Sequence, residues 1–210
     1  MVKRVQKSRR ITVPKLNYSS LNLEQALSFV PTDNLVPWQI ASMPLAPSMV
    51  LTETLSRMDS FDLTESEAAK ILLIDAVFLE VVPRHPLLKV WKTKALESNL
   101  LTGFADFLIA PKRAFMKSPL LCVAEAKKDD FEQGQAQCIA EMVACRWNNA
   151  QAGIRRSVYG IVTNGTGWQF FCLNEQNAVL RSGLYSDKDL PDLLGAVDYV
   201  CGECAKNVVL

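Results

Sequence analysis

The chain has 210 residues, 49% hydrophobic and 21% charged, with a formal net charge of +1. This is ordinary soluble usage, sufficient for one α/β or α+β domain with a proper core. The near-neutral balance excludes a globally basic nucleic-acid coat, so any contact with DNA or RNA must come from a local patch.

In chain order, the first ten residues hold the bases Lys3, Arg4, Lys7, Arg9 and Arg10 and no acid, the composition of a solvated terminus. No apolar run follows that would make them a secretory signal, and no apolar stretch approaches the roughly 18 residues of a membrane span. The expectation is a soluble cytoplasmic protein. Residues 1–50 carry half of the prolines (Pro14, Pro31, Pro37, Pro44 and Pro47) and read as an extension that wraps or links. A short helix over 21–29 can be capped by Ser19, Ser20 or Asn22. The next helix is expected from Thr64, because Thr64-Glu65-Ser66-Glu67 has the capping-box pattern. Ala68, Ile71, Leu72, Asp75, Phe78 and Leu79 then give it a largely apolar face, and Pro83 and Pro86 end it.

Residues 88–95 alternate as a half-exposed strand does, and 104–110 and 120–126 read as two further strands. A proline-bracketed basic turn over 111–119 joins the latter two. Asp129 or Asp130 can cap a long helix running to about Asn148, where Gly134, Ala136, Ala140 and Ala144 permit close packing on a sheet. Residues 158–163 form a buried strand, Asn164-Gly165-Thr166-Gly167 a turn, and 168–173 its hairpin partner. A final helix is expected over 187–205. The order predicts an α/β (α+β) fold: a mixed central β-sheet flanked by helices, in a single domain over 51–210.

Several chemistries are poorly served. Cys122, Cys138, Cys145 and Cys172 sit in apolar segments, where free cysteine behaves as a small hydrophobe. Cys201-Gly202-Glu203-Cys204 is the only CxxC, and His85 is the only histidine, so a zinc ribbon lacks its second ligand pair. His85 lies in a proline-flanked turn. No GxSxG, GxxxxGK[ST] or HExxH pattern supports a serine nucleophile, a P-loop or a zinc protease.

One constellation does carry chemistry. Asp106 interrupts the apolar run Phe104-Ala105-Asp106-Phe107-Leu108-Ile109, and Glu125 and Lys127 interrupt the end of the next strand. Strand side chains alternate, so Glu125 and Lys127 project from one face; if the two strands pair as a hairpin, Asp106 lies beside them. Charges seldom occupy apolar strands unless paired or bound to metal. Two carboxylates can hold Mg²⁺ against substrate phosphate oxygens, and a nearby lysine can orient the attacking water and offset charge in the transition state. The same spacing also suits a plain ion pair between Lys127 and Glu125 or Asp106 at a strand edge.

Gly103-Phe104-Ala105-Asp106, followed after eighteen residues by Glu125-Ala126-Lys127, resembles the bipartite signature of the PD-(D/E)XK nuclease superfamily. The likeness is greatest to the branch of type I restriction N-terminal nuclease domains and similar small proteins. It extends through the glutamine-bearing helix segment Gln133-Gly134-Gln135-Ala136-Gln137 and the Thr163-Asn164-Gly165 hairpin, about half the chain. Ala105 replaces the proline that names the motif. The resemblance implies a restriction-endonuclease-like fold over 51–210 and a Mg²⁺ (or Mn²⁺) site held by Asp106, Glu125 and Ala126. It implies Lys127 as the catalytic lysine, Gln137 as the helix glutamine facing the site, and Glu67, with Asp75 behind it, as the acid from the preceding helix. The implied activity is hydrolysis of DNA phosphodiesters, with RNA as an alternative substrate and a homodimer as a possible assembly. Lys112, Arg113, Lys117 and Lys128 are candidate phosphate grips. A non-catalytic relative serving as a nucleic-acid-binding or assembly module is the alternative in another class.

Overall fold

Three consecutive strands, β3 (Leu88–Glu97), β4 (Leu101–Pro111) and β5 (Cys122–Ala126), lay down the centre of the sheet before the chain turns into its longest helix. The computed structural model describes residues 14–31, 34–63, 66–127 and 131–208, with the backbone alone for Glu67. The other strands are β1 (Leu16–Asn17), β2 (Leu35–Trp38), β6 (Val158–Thr163), β7 (Gly167–Leu173) and β8 (Val179–Ser186). The helices are α1 (Leu23–Leu27), α2 (Met49–Met58), α3 (Glu67–Val81), α4 (Phe131–Gln151) and α5 (Leu190–Lys206).

The strands form one mixed eight-stranded sheet in the order β1-β4-β5-β6-β7-β8-β2, with β3 paired to β4 off that path. β3 runs antiparallel along β4 from Leu88↔Pro111 to Glu97↔Thr102. That pairing fills one side of β4. Its other side is shared by β5, at Phe107–Ile109, and β1, at Leu101–Thr102. The fold is a single-domain α/β arrangement, as expected. The segment before residue 51 is built into it, because β1 and β2 add parallel strands to β4 and β8.

Helices cover both faces. On one, α4 and α1 pack through Ala136, Ile139, Met142, Ala26 and Leu27 against Leu108, Val123 and Val162. A side chain at Gly160 would meet Cys138 Sγ at 2.5 Å, so α4 approaches β6 as closely as its small residues suggested. On the other face α3 and α5 bury Ile74, Val77, Phe78, Leu194 and Val197 against Phe107, Ile161 and Phe170.

Local differences have physical causes. α1 is capped by Asn22 in a full capping box with Gln25. α3 starts later than the Thr64 pattern predicts: the Ser66 hydroxyl accepts from Ala69 N–H at 3.1 Å, while Thr64 lies outside the described residues. The expected α4 caps, Asp129 and Asp130, also lie outside them. β1, β2, β8 and α2 were not anticipated. β2 contains Pro37, which an edge strand tolerates. α2 depends on tertiary contact, since Ser48 caps it while donating N–H and hydroxyl bonds to Glu80 of α3 at 2.8 Å each. No helix among the described residues is long and apolar enough to cross a membrane.

Candidate functional site

β5 delivers Glu125, Ala126 and Lys127 to the carboxyl end of the parallel pair β5–β6. There Glu125 pairs with Val162, Ala126 with Thr163, and Lys127 N–H donates to the Thr163 carbonyl at 2.9 Å. The ladder with β4 ends at Phe107↔Ala124, so Asp106 is the next residue, across from Glu125. Its Oδ2 accepts the Ala126 N–H at 3.0 Å, replacing a strand carbonyl. Lys127 Nζ lies 2.8 Å from Glu125 Oε1 and donates to Gln137 Oε1 at 3.1 Å. Gln137 in turn donates from Nε2 to Glu141 Oε1 at 3.2 Å. A Cβ on Gly134, one turn earlier, would lie 2.9 Å from Lys127 Cγ, so the absence of a side chain lets the lysine lie against α4.

Burial dominates the electrostatics. Glu125 is 2% exposed and Glu141 fully enclosed. Desolvation first, and then the charge of Asp106, push the Glu125 carboxyl up to about 7 against the opposing pull of the Lys127 ammonium. Glu141 is driven well above the usual carboxylate range by burial, then by Glu125 and Asp106, with the Gln137 hydrogen bond opposing. Glu125 Oε2 and Glu141 Oε2 are buried and make no hydrogen bond among the described residues. Glu141 escaped the sequence reading. Its signal was an acid in the run Cys138-Ile139-Ala140-Glu141-Met142, one helical turn after Gln137.

The structure thus brings together Asp106, Glu125, Lys127 and Gln137. Ala126 serves through its N–H, while its side chain is buried in the core of the α3 face. The side chain of Glu67 lies outside the described residues. Asp75 is a correction: it accepts from Lys92 Nζ at 2.9 and 2.7 Å, in a helix packed on the other face, and takes no part in the cluster. Lys112, Arg113 and Lys117 are a second correction. They occupy the loop beyond Pro111, six residues of strand or more from Asp106 and so roughly 20 Å along β4, although near in sequence. Lys128 lies outside the described residues. Gln133 has a tethering role, donating to the Ser19 and Leu21 carbonyls at 3.0 and 3.2 Å.

Among the described residues, no three His, Cys, Asp or Glu side chains stand as a ready-made metal-ligand set. Lys127 and Gln137 hold the Oε1 atoms of Glu125 and Glu141 in the present rotamers. The donor chemistry still fits a hard cation, which takes oxygen ligands, and two buried carboxylate oxygens lack a donor. The chain matches no family model and has no significant match among curated proteins. Fold and site define a single-domain α/β protein with a partly buried Asp–Glu–Lys cluster at a strand end.

Proposed function

We propose that the chain is a Mg²⁺- or Mn²⁺-dependent nuclease of the PD-(D/E)XK type that hydrolyses DNA phosphodiesters in the cytoplasm. The observation supporting this most is the joint placement of Lys127 on Glu125 and of Asp106 on the Ala126 N–H, across two adjacent strands. Asp106 and Glu125, with the Ala126 backbone, are the residues that would hold the cation. Bound there, it would acidify a water molecule and neutralise charge developing on the phosphoryl oxygens. Lys127 Nζ, held between Glu125 and Gln137, would orient the attacking water and donate to a phosphoryl oxygen. Water oxygen then bonds to phosphorus, one P–O ester bond breaks, and a proton reaches the departing oxygen. Gln137 keeps the ammonium in place.

One observation favours the second reading, a non-catalytic relative that binds nucleic acid or assists assembly: among the described residues, no three acids form a ready ligand set. Incubation of the purified chain with plasmid DNA and Mg²⁺ or Mn²⁺ separates the two. The nuclease reading expects nicking that is lost with chelator and in Lys127→Met. Absence of cleavage on duplex, single-stranded, branched and RNA substrates, together with absence of metal binding, would transfer the assignment to the binding module.

A further inference from the structure

β3 pairs with β4 alone, so its outer edge carries no strand among the described residues. That edge is basic: Lys89, Lys92 and Lys94 stand within six residues, and Glu97 is the only acid of the strand. Lys92 is neutralised by Asp75 at 2.7 Å, and Glu97 by Lys15 at 2.8 Å. Lys89 and Lys94 have no carboxylate partner among the described residues. They lie on Trp91 instead, with Nζ 4.1 and 5.5 Å from the ring centroid, so one half-buried indole holds both ammonium groups. At the start of the strand Lys89 joins Lys112 and Arg113 around a cleft of about 640 Å³ walled by Pro83, His85 and Pro86, with no acid in its lining. Asp198, behind His85, is occupied by Arg84 and His85 at 2.9 and 3.0 Å. At the other end of the row Lys94 pairs with Ala105, and the ladder passes over Thr93, which has a φ of 49°. Thr93 therefore stands across from Asp106. The basic edge thus runs from the cleft to the flank of the Asp106–Glu125–Lys127 cluster.

Lysines on an open edge repel a second copy of the same edge and disfavour an added strand. They attract a polyanion. Lys89 and Lys94 are separated by roughly 17 Å of strand, a span of about five steps of a duplex. We propose that the outer edge of β3, with the cleft at its start, is a track for a nucleic-acid backbone that leads to the cluster. The inference deepens the nuclease reading and rests on it for the identity of the polyanion. Phosphates seat on Lys112 and Arg113 in the cleft and on Lys89 and Lys94 along the edge. Side chains too distant from Asp106 to touch the phosphate being cut then anchor the strand beyond it.

Fluorescence anisotropy of the full chain with short labelled oligonucleotides tests the track without cleavage, using Ca²⁺ or chelator in place of Mg²⁺. DNA and RNA, single-stranded and duplex, form separate arms, and the tightest identifies the strand. Lys112→Gln/Arg113→Gln and Lys89→Gln/Lys94→Gln each remove two charges from the track. Arg57→Gln/Lys188→Gln, on α2 and beyond β8, is the charge-matched control, and melting curves confirm that all three variants are folded. Each track pair is expected to weaken binding about tenfold at low salt and to reduce the slope of log K against log salt by about 1.4–1.8, the loss of two phosphate contacts. A loss no greater than the control's, or an unchanged slope, overturns the track and leaves the nuclease reading to its cleavage test. Displacement by polyglutamate as readily as by unlabelled DNA overturns it in favour of an acidic protein segment. Failure of the unmodified chain to bind any of the oligonucleotides overturns the track and the nuclease reading together.

Discussion

Both faces of the sheet carry a buried apolar core, but the α4 face also encloses a cluster of charged and amide side chains. Under α3 and α5 the core is apolar and aromatic: Phe78 meets Phe107 edge-on at 5.3 Å and Trp168 at 6.0 Å, and Phe170 meets Tyr185 at 5.2 Å. Under α4, among residues just as enclosed, lie Glu125, Gln137 and Glu141. Aromatic burial and edge-to-face contact stabilise the first face. Carboxylates removed from water cost several kcal/mol each, so the polar cluster is tolerated because the apolar cores on both faces hold the sheet. Candidate chemistry is therefore confined to one side of a sheet that both sides stabilise.

The sharpest way to break that comparison is truncation. Phe107→Ala should cost about 3–5 kcal/mol, read from urea unfolding at neutral pH. If it costs no more than Glu141→Gln, the comparison fails.

The pH dependence comes next. Glu125 has a folded-state value near 7 against an ordinary 4.5, and Glu141 is shifted the same way. Both are protonated in folded and unfolded chains in strong acid, where their stabilising share is full. That share declines above about 4.5 and is lost as pH rises through the folded value. The metal-free protein should therefore melt several degrees lower at pH 8 than at pH 5, and Glu125→Gln should flatten the slope. A rise in melting temperature over that window would sink the assignment.

Glu141→Gln should change the stability of the metal-free protein little at pH 5, where the buried carboxyl is already neutral, and raise it at alkaline pH, where the glutamate would have to ionise out of water. The same unfolding curves decide it, and a loss of stability would show that the carboxylate is fully compensated. The smallest effect is expected at Gly134. Alanine there meets Val162 Cγ1 at 2.7 Å, an overpacking cost of about 1–3 kcal/mol offset by roughly 1 kcal/mol of helix propensity. The net loss should be about 1 kcal/mol. In the nuclease reading, cleavage should fall more than stability because Lys127 is displaced.

The centre of the fold was legible because its signals are local. Alternation marked β3, turn chemistry at Asn164-Gly165 marked the β6–β7 hairpin, and small residues marked the buried face of α4. The strand positions of Asp106, Glu125 and Lys127 could be read in the same way, as charges in apolar runs. The elements that were missed lack such signals. β2 has a proline in a four-residue strand and is held by β8, and α2 is held by Glu80 of α3. Glu141 was illegible for a related reason. An acid on a long helix reads as solvated, and only the packing of α4 on β5 and β6 turns it inward. The loop bases Lys112, Arg113 and Lys117 erred in the other direction, because nearness in sequence hid a strand's length of separation.

The two small strands at the start of the chain carry a consequence for synthesis. β1 joins Leu101–Thr102, and β2 finds its partner only in Val179–Ser182, near the far end of the chain. A ribosome makes Leu35–Trp38 well before their partner, so those residues wait without a strand to join while β3 to β7 are made. Pairings this distant in sequence carry a large loop-closure cost and slow folding. A nascent chain halted before residue 179 should remain protease-sensitive at Leu35–Trp38, even where β1 and α1 have docked on β4 and α4. Emergence of β8 is the moment at which β2 can join the sheet.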